Sequence, residues 1–247
     1  MLLALFTIQL AAGLCVFLPL VGRRAAGPKF YRLVLVISGA LAVVAIAAHL
    51  NARRQPLAAF DGIALVSTAL LWYVLRYPKR LIFRASASLV GLTYVVASIA
   101  AYDSAVRPAN FFWSILGSVS TIALLGSVNL AMTLGHWYLV VRGMPIDPLK
   151  RLTIATLVAG IAKLLLVFTA ILAGGAWHEV AVRQGIFFWM RAGWGLAGPL
   201  LLYPMVWGTV KIRSTMAATG ILYVDVVAVV IGEILGAWLS AIVHLPV

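Results

Sequence analysis

Cysteine is nearly absent: Cys15 is the only one in 247 residues. That excludes an internal disulfide and leaves no cysteine-ligated zinc or iron–sulfur centre. Lying within an apolar run, Cys15 reads as a small packing residue. Acidic residues are scarce as well, 6 against 19 Lys and Arg, and only 10% of the chain is charged. Also missing are a phosphate-binding P-loop, a Gly-x-Ser-x-Gly nucleophile elbow and a His-Glu-x-x-His zinc motif. The polar stretches are short, so no soluble catalytic domain is expected between the apolar ones.

What the chain has in abundance is hydrocarbon. Hydrophobic residues make up 64% of it and the mean hydropathy is +1.09, far from the balance of a soluble domain. Apolar runs of roughly 20 residues recur along the whole length, each able to cross a hydrocarbon core of about 30 Å as a helix. The sequence therefore predicts an all-α polytopic membrane protein. Its expected spans are eight, over about 2–21, 33–50, 58–75, 84–101, 111–136, 152–174, 185–209 and 215–243. The third is short and has Asp61 near its start.

Basic residues orient such a chain, because short cytoplasmic loops retain Lys and Arg. Every Lys and Arg falls in the alternate loops 22–32, 76–84, 142–151 and 210–214, except Arg53, Arg54, Arg107 and Arg183 in the other loops and Lys163 and Arg191 inside spans. Both termini are thus expected outside, in a multi-pass protein of a bacterial cytoplasmic membrane. The net charge of +13 is accounted for by topology and implies no nucleic-acid partner. Met1 to Leu20 has no basic segment before it, so it is expected to be a retained first span and not a signal peptide.

The chain also looks doubled. Arg84, Gly91, Tyr94 and Val95 line up without a gap on Arg213, Gly220, Tyr223 and Val224. A fainter echo relates Thr7, Ile8, Leu10 and Gly13 to Thr121, Ile122, Leu124 and Gly126. Units of four spans would share one orientation, related by an axis along the membrane normal. The expected domains are 1–108, resembling a scaffold, and 109–247.

The second unit carries the intramembrane charges: Lys163, Arg191, Asp225 and Glu233. Such residues pair, face a cavity or mark an ion, proton or ligand path. Counted from predicted span ends, Lys163 and Asp225 share a depth near the midplane and are expected to pair. Arg191 and Glu233 lie in the outer half and could form a second pair. Asn129, Tyr203 and Tyr223 would extend the polar strip, and His136 could titrate at its inner mouth. Ion pairs that only fasten helices are the plainer alternative. The seventh span is expected to be irregular, since Pro199 and Pro204 remove backbone donors and Gly193, Gly195 and Gly198 precede or adjoin them.

A b-type haem needs two imidazoles at matched depth on facing helices. Only His49 and His244 meet that demand, both near the outer surface without a supporting motif, so interfacial histidines are the simpler expectation. No metal site is predicted. Eight helices in two four-helix halves are similar in architecture to the haem-free quinol-oxidising anchors of some respiratory oxidoreductases, with no shared motif. What that implies is a membrane subunit of a respiratory or electron-transfer complex, binding lipid and other protein subunits. It would hold a quinone near Arg191, Glu233 and Trp194 or conduct protons, and would have no self-contained catalytic motif. The alternatives are a proton-coupled transporter of a small solute and a structural subunit without a site of its own.

Overall fold

The first two helices already show how glycine and proline divide this chain. Helix α1 (Leu2–Val21) stops at Gly22, whose φ of 74° is left-handed, and α2 (Arg23–Asn51) bends at Gly27, φ 75°, just before Pro28. Glycine enters that region without a Cβ penalty, which is why the breaks fall there. The protein is described by a computed structural model, covering the backbone of residues 1–77, 80–141 and 143–247 and the side chains of these except Arg24, Arg80, Leu81 and Arg84. Lys79 and Arg142 of the expected basic loops lie outside the described residues, as do the side chains of Arg24, Arg80 and Arg84. The Arg84 to Arg213 match is therefore seen only along the backbone.

Four further long helices follow: α3 (Gln55–Val74), α4 (Arg80–Val106), α5 (Phe111–Val140) and α6 (Asp147–Ala173). Proline sits in the first turn of α3 and α6, where its missing N–H costs nothing. Asn110 caps α5, its side chain accepting a hydrogen bond from the Phe112 N–H at 2.9 Å. Next come a π-helical turn (His178–Arg183), the short α7 (Gly185–Met190), a second π-helical stretch (Arg191–Ala197) and α8 (Gly198–Lys211). The chain closes with α9 (Thr215–Val243).

Seven of these helices, α1 to α6 and α9, are long and apolar enough to cross a membrane, and no strand occurs among the described residues. The run 185–211 is divided at its π-helical stretch and supplies no single helix of that length. Large apolar residues, among them Leu70, Leu92, Val158, Leu172 and Leu201, cover the outside, while Ser38, Ser98, Ser118 and Ser127 are buried. This inversion of the soluble pattern suits a bundle surrounded by lipid, where small and polar residues lie between helices.

Loop contacts show which segments share an end. Arg23 donates to the Leu75 and Tyr77 carbonyls at 2.7 and 3.0 Å, and the Trp137 indole donates to the Ala26 carbonyl. These bonds gather the loops after α1, α3 and α5 at one end, which holds the basic residues. At the opposite end the His244 ring donates to the Val106 carbonyl at 2.6 Å. Helix α1 packs on α2, α4 and α5, and α3 bridges α2 and α4. Helix α5 packs on α6 and α9, and α8 lies between those two. Where α1 crosses α5, Gly13 and Gly126 bring the backbones together: a Cβ on Gly13 would stand 2.5 Å from the Gly126 Cα. The two glycines that echo each other in sequence thus meet in space.

Candidate functional site

Glu233 on α9 is the centre of a buried ion cluster. Its Oε1 accepts a hydrogen bond from Arg191 Nη2 at 2.8 Å, and its Oε2 accepts one from the Thr121 hydroxyl of α5, also at 2.8 Å. Lys163 of α6 lies 3.7 Å from Oε2 and donates to Thr121 Oγ1 at 2.8 Å and to Ser120 Oγ at 3.2 Å. Thr121 therefore accepts from the lysine while donating to the glutamate. Arg191, Lys163 and Glu233 are 0, 2 and 3% exposed, so water contributes almost nothing to their solvation. With all three ionised, two positive charges share one carboxylate, an arrangement held by hydrogen bonds as well as by attraction.

Backbone geometry makes room for this cluster. Arg191 begins the π-helical stretch, in which each carbonyl reaches one residue further along the chain for its donor. Pro199, just after it, has no N–H to restore the ordinary α ladder. Gly195 of the stretch lies against Gly232 of α9, with a Cβ on Gly232 only 2.5 Å from the Gly195 Cα. A Cβ on Gly236 would meet Arg191 Nε at 2.8 Å, so the guanidinium lies across a surface that only glycine leaves open. Arg191 Nε and Nη1 are buried and have no hydrogen-bond partner among the described residues. Their two donors would suit a carbonyl or carboxylate oxygen.

The expected pairing of Lys163 with Asp225 is corrected: the lysine joins Glu233, along with Arg191. The cause is the start of α6, which lies at Asp147 and not near 152. From there Lys163 is about 24 Å along its helix, Glu233 about 27 Å along α9 and Asp225 only about 15 Å. Asp225 is 3% exposed, and its buried Oδ1 has no hydrogen-bond partner among the described residues. It faces a small cavity of about 10 Å³ lined by Thr153, Thr156, Pro199, Leu200 and Tyr203 among others.

The single polar strip expected across the membrane is also divided. Asn129 donates to the Leu125 carbonyl of its own helix at 2.8 Å. Tyr223 is exposed, with its hydroxyl 3.4 Å from His136 Nδ1, so this pair lies on the outer surface of the bundle. Tyr94, its sequence counterpart in the first half, is instead fully buried and donates to the Ser38 carbonyl at 3.2 Å.

The histidine pair does not form. His49 belongs to α2, which packs on α1 and α3, whereas His244 follows α9, which packs chiefly on α5 and α8. His49 is not interfacial either: it is fully buried, and its Nδ1 lies 2.7 Å from Oδ2 of the equally buried Asp61. His49 Nε2 and Asp61 Oδ1 have no partner among the described residues. The scaffold-like first half thus holds a buried ionisable pair that sequence reasoning overlooked. Its signal was Asp61 inside an apolar run, across a tight turn from His49. Among the described residues no group of three or more His, Cys, Asp or Glu could hold a metal. No family model, no curated protein and no solved structure matches the chain.

Proposed function

We propose that this chain is an integral membrane subunit that handles protons within a respiratory or electron-transfer assembly. The observation that carries the proposal is Glu233, a buried carboxylate linked through the Thr121 hydroxyl to Lys163 and directly to Arg191. A proton can be exchanged along such a chain of donors and acceptors without an ion entering hydrocarbon alone. The unpartnered Nε and Nη1 of Arg191 are where a quinone carbonyl would be received, with Trp194 on the lipid-facing side of the same stretch. Toward the basic end, Asp225 and then His136 with Tyr223 are the next titratable groups.

The segment 185–211 completes the proposed set of eight crossings, entered from the side opposite the basic end. Neighbour relations support two four-helix units, 1–108 and 109–247: α1 to α4 close one ring, and α5, α6, α8 and α9 close the other. The basic loops would then face the cytoplasm of a bacterial cell with both termini outside. A second proposal, a proton-coupled transporter of a small solute, is favoured by the π-helical break beside the ion cluster, since discontinuous helices form midplane sites in transporters.

The deciding experiment is purification from native membranes with its partners, followed by an optical spectrum and quinol-linked turnover. Redox subunits should accompany the chain. Thr121→Val, which keeps the shape and every charge but removes a buried hydrogen bond from both Glu233 and Lys163, should lower turnover at least tenfold and also lower the melting temperature, while Thr121→Ser, which keeps the hydroxyl, should retain turnover. Full turnover in Thr121→Val and in Glu233→Asp would remove the cluster from the proton path, and uptake of a solute by the isolated chain would favour the transporter.

A further inference from the structure

The cavity at Asp225 has a polar lining made almost wholly of acceptors. The Thr153 hydroxyl donates to the Leu149 carbonyl at 2.9 Å and the Thr156 hydroxyl to the Leu152 carbonyl at 3.0 Å. Their hydrogens are committed to their own helix, so what remains to the cavity is oxygen lone pairs. Asp225 adds a carboxylate whose buried Oδ1 makes no hydrogen bond among the described residues. Only Tyr203 brings a hydrogen without an assigned acceptor.

We propose that Asp225, Thr153 and Thr156 hold one small monovalent cation, no larger than a water molecule. A space of about 10 Å³ accepts a single water-sized atom. Hard cations take oxygen ligands, and Asp225, Thr153, Thr156 and Tyr203 are the oxygen-bearing side chains of an otherwise apolar lining. One carboxylate offsets one positive charge, whereas a divalent ion would keep an uncompensated charge inside the membrane. Magnesium would also have to shed the waters it normally retains. No other charged group lines the cavity among the described residues: α6 contributes threonines, α8 contributes Tyr203, and Glu233, about 12 Å further along α9, is paired with Lys163 of α6 and with Arg191. The cation would compete with a proton for Asp225.

The inference extends the proposed ion-handling role of α9, but its test needs no turnover. Carbodiimides modify a protonated carboxyl in an apolar site, and mass spectrometry reads the product at Asp225. In the protein at fixed pH and ionic strength, replacing the bulky choline by sodium should slow labelling at least fivefold. Thr153→Val and Thr156→Val should keep Asp225 reactive in choline and lose the protection by sodium. Thr121→Val should keep that protection, which separates failure of this site from failure of the relay. Equal labelling in sodium and choline overturns the cation site and leaves a proton site. If Asp225 takes no label in either salt, the melting temperature decides. A rise with sodium that Asp225→Asn abolishes supports the site, and no rise overturns it.

Discussion

Glu233 carries more than its share among the residues, because two cations depend on it. Replacing it by Gln would leave Lys163 and Arg191 buried with only hydroxyls and an amide to face. Removal of one partner from a buried pair costs about 3–5 kcal/mol, while replacing the whole set with apolar side chains is often neutral. Glu233→Gln should therefore lower the melting temperature sharply. Adding Lys163→Met and Arg191→Met to Glu233→Leu should recover much of the loss, and a triple variant no more stable than the single one would contradict this account. The same logic applies to His49 and Asp61 in the first half. Asp61→Leu alone should destabilise more than Asp61→Leu with His49→Leu, as denaturation of the purified variants would reveal.

At the level of elements, two features decide how the cluster is presented. One is the close crossing of α1 and α5 at Gly13 and Gly126. A side chain there meets backbone, which cannot rotate away, so Gly126→Leu should cost at least the 1–3 kcal/mol typical of overpacking. It should also loosen the contact between the halves, measurable as lost cross-linking between cysteines placed on the two helices. The other is the π-helical stretch that starts at Arg191 and ends before Pro199. Pro199→Ala restores a donor and should favour the α ladder, turning Arg191 by roughly 100° relative to the following helix. Slower amide exchange over 191–197 together with weaker Glu233-dependent stability is the expected result. Unchanged exchange would indicate that glycines alone impose the break.

For the whole molecule, the test is orientation. The sole cysteine is buried, so a Cys15→Ala background lets single reporters be placed at will. Arg53→Cys should react with a membrane-impermeant thiol reagent added outside intact cells, and Lys211→Cys only after the cells are opened. The reverse pattern would invert the proposed topology. Most of this architecture was legible in advance. Apolar runs located the seven long helices, though α2 begins at Arg23 and not near 33 and α6 at Asp147 and not near 152, and the clustering of Lys and Arg in alternate loops matches the segments that Arg23 and Trp137 tie together. The irregular segment at 185–209 was also visible, in its prolines and glycines.

The site was less legible. All four intramembrane charges are buried as their sequence context required, and the outer-half pair of Arg191 and Glu233 forms, yet the partner of Lys163 could not be read from depth alone. Counting from the first apolar residue after Lys150 and Arg151 missed the helical start at Asp147 and Pro148, and that error of about one and a half turns transferred Lys163 from Asp225 to Glu233. Asp61 and His49 were judged by their nearness to span ends, although burial depends on neighbouring helices as much as on depth.

What the sequence determined by itself was everything set by transfer from water to hydrocarbon: the membrane class, the helices and the groups too costly to leave unpaired. Hydropathy and charge are properties of single residues and short windows, so they can be summed along a chain. The tertiary structure decided the partners, because pairing depends on helix register, the π-helical turn at Arg191 and the glycine contacts that set how near α9 comes to its neighbours. Those are relations between segments far apart in sequence. They left Glu233 shared by two cations and Asp225 alone beside its cavity.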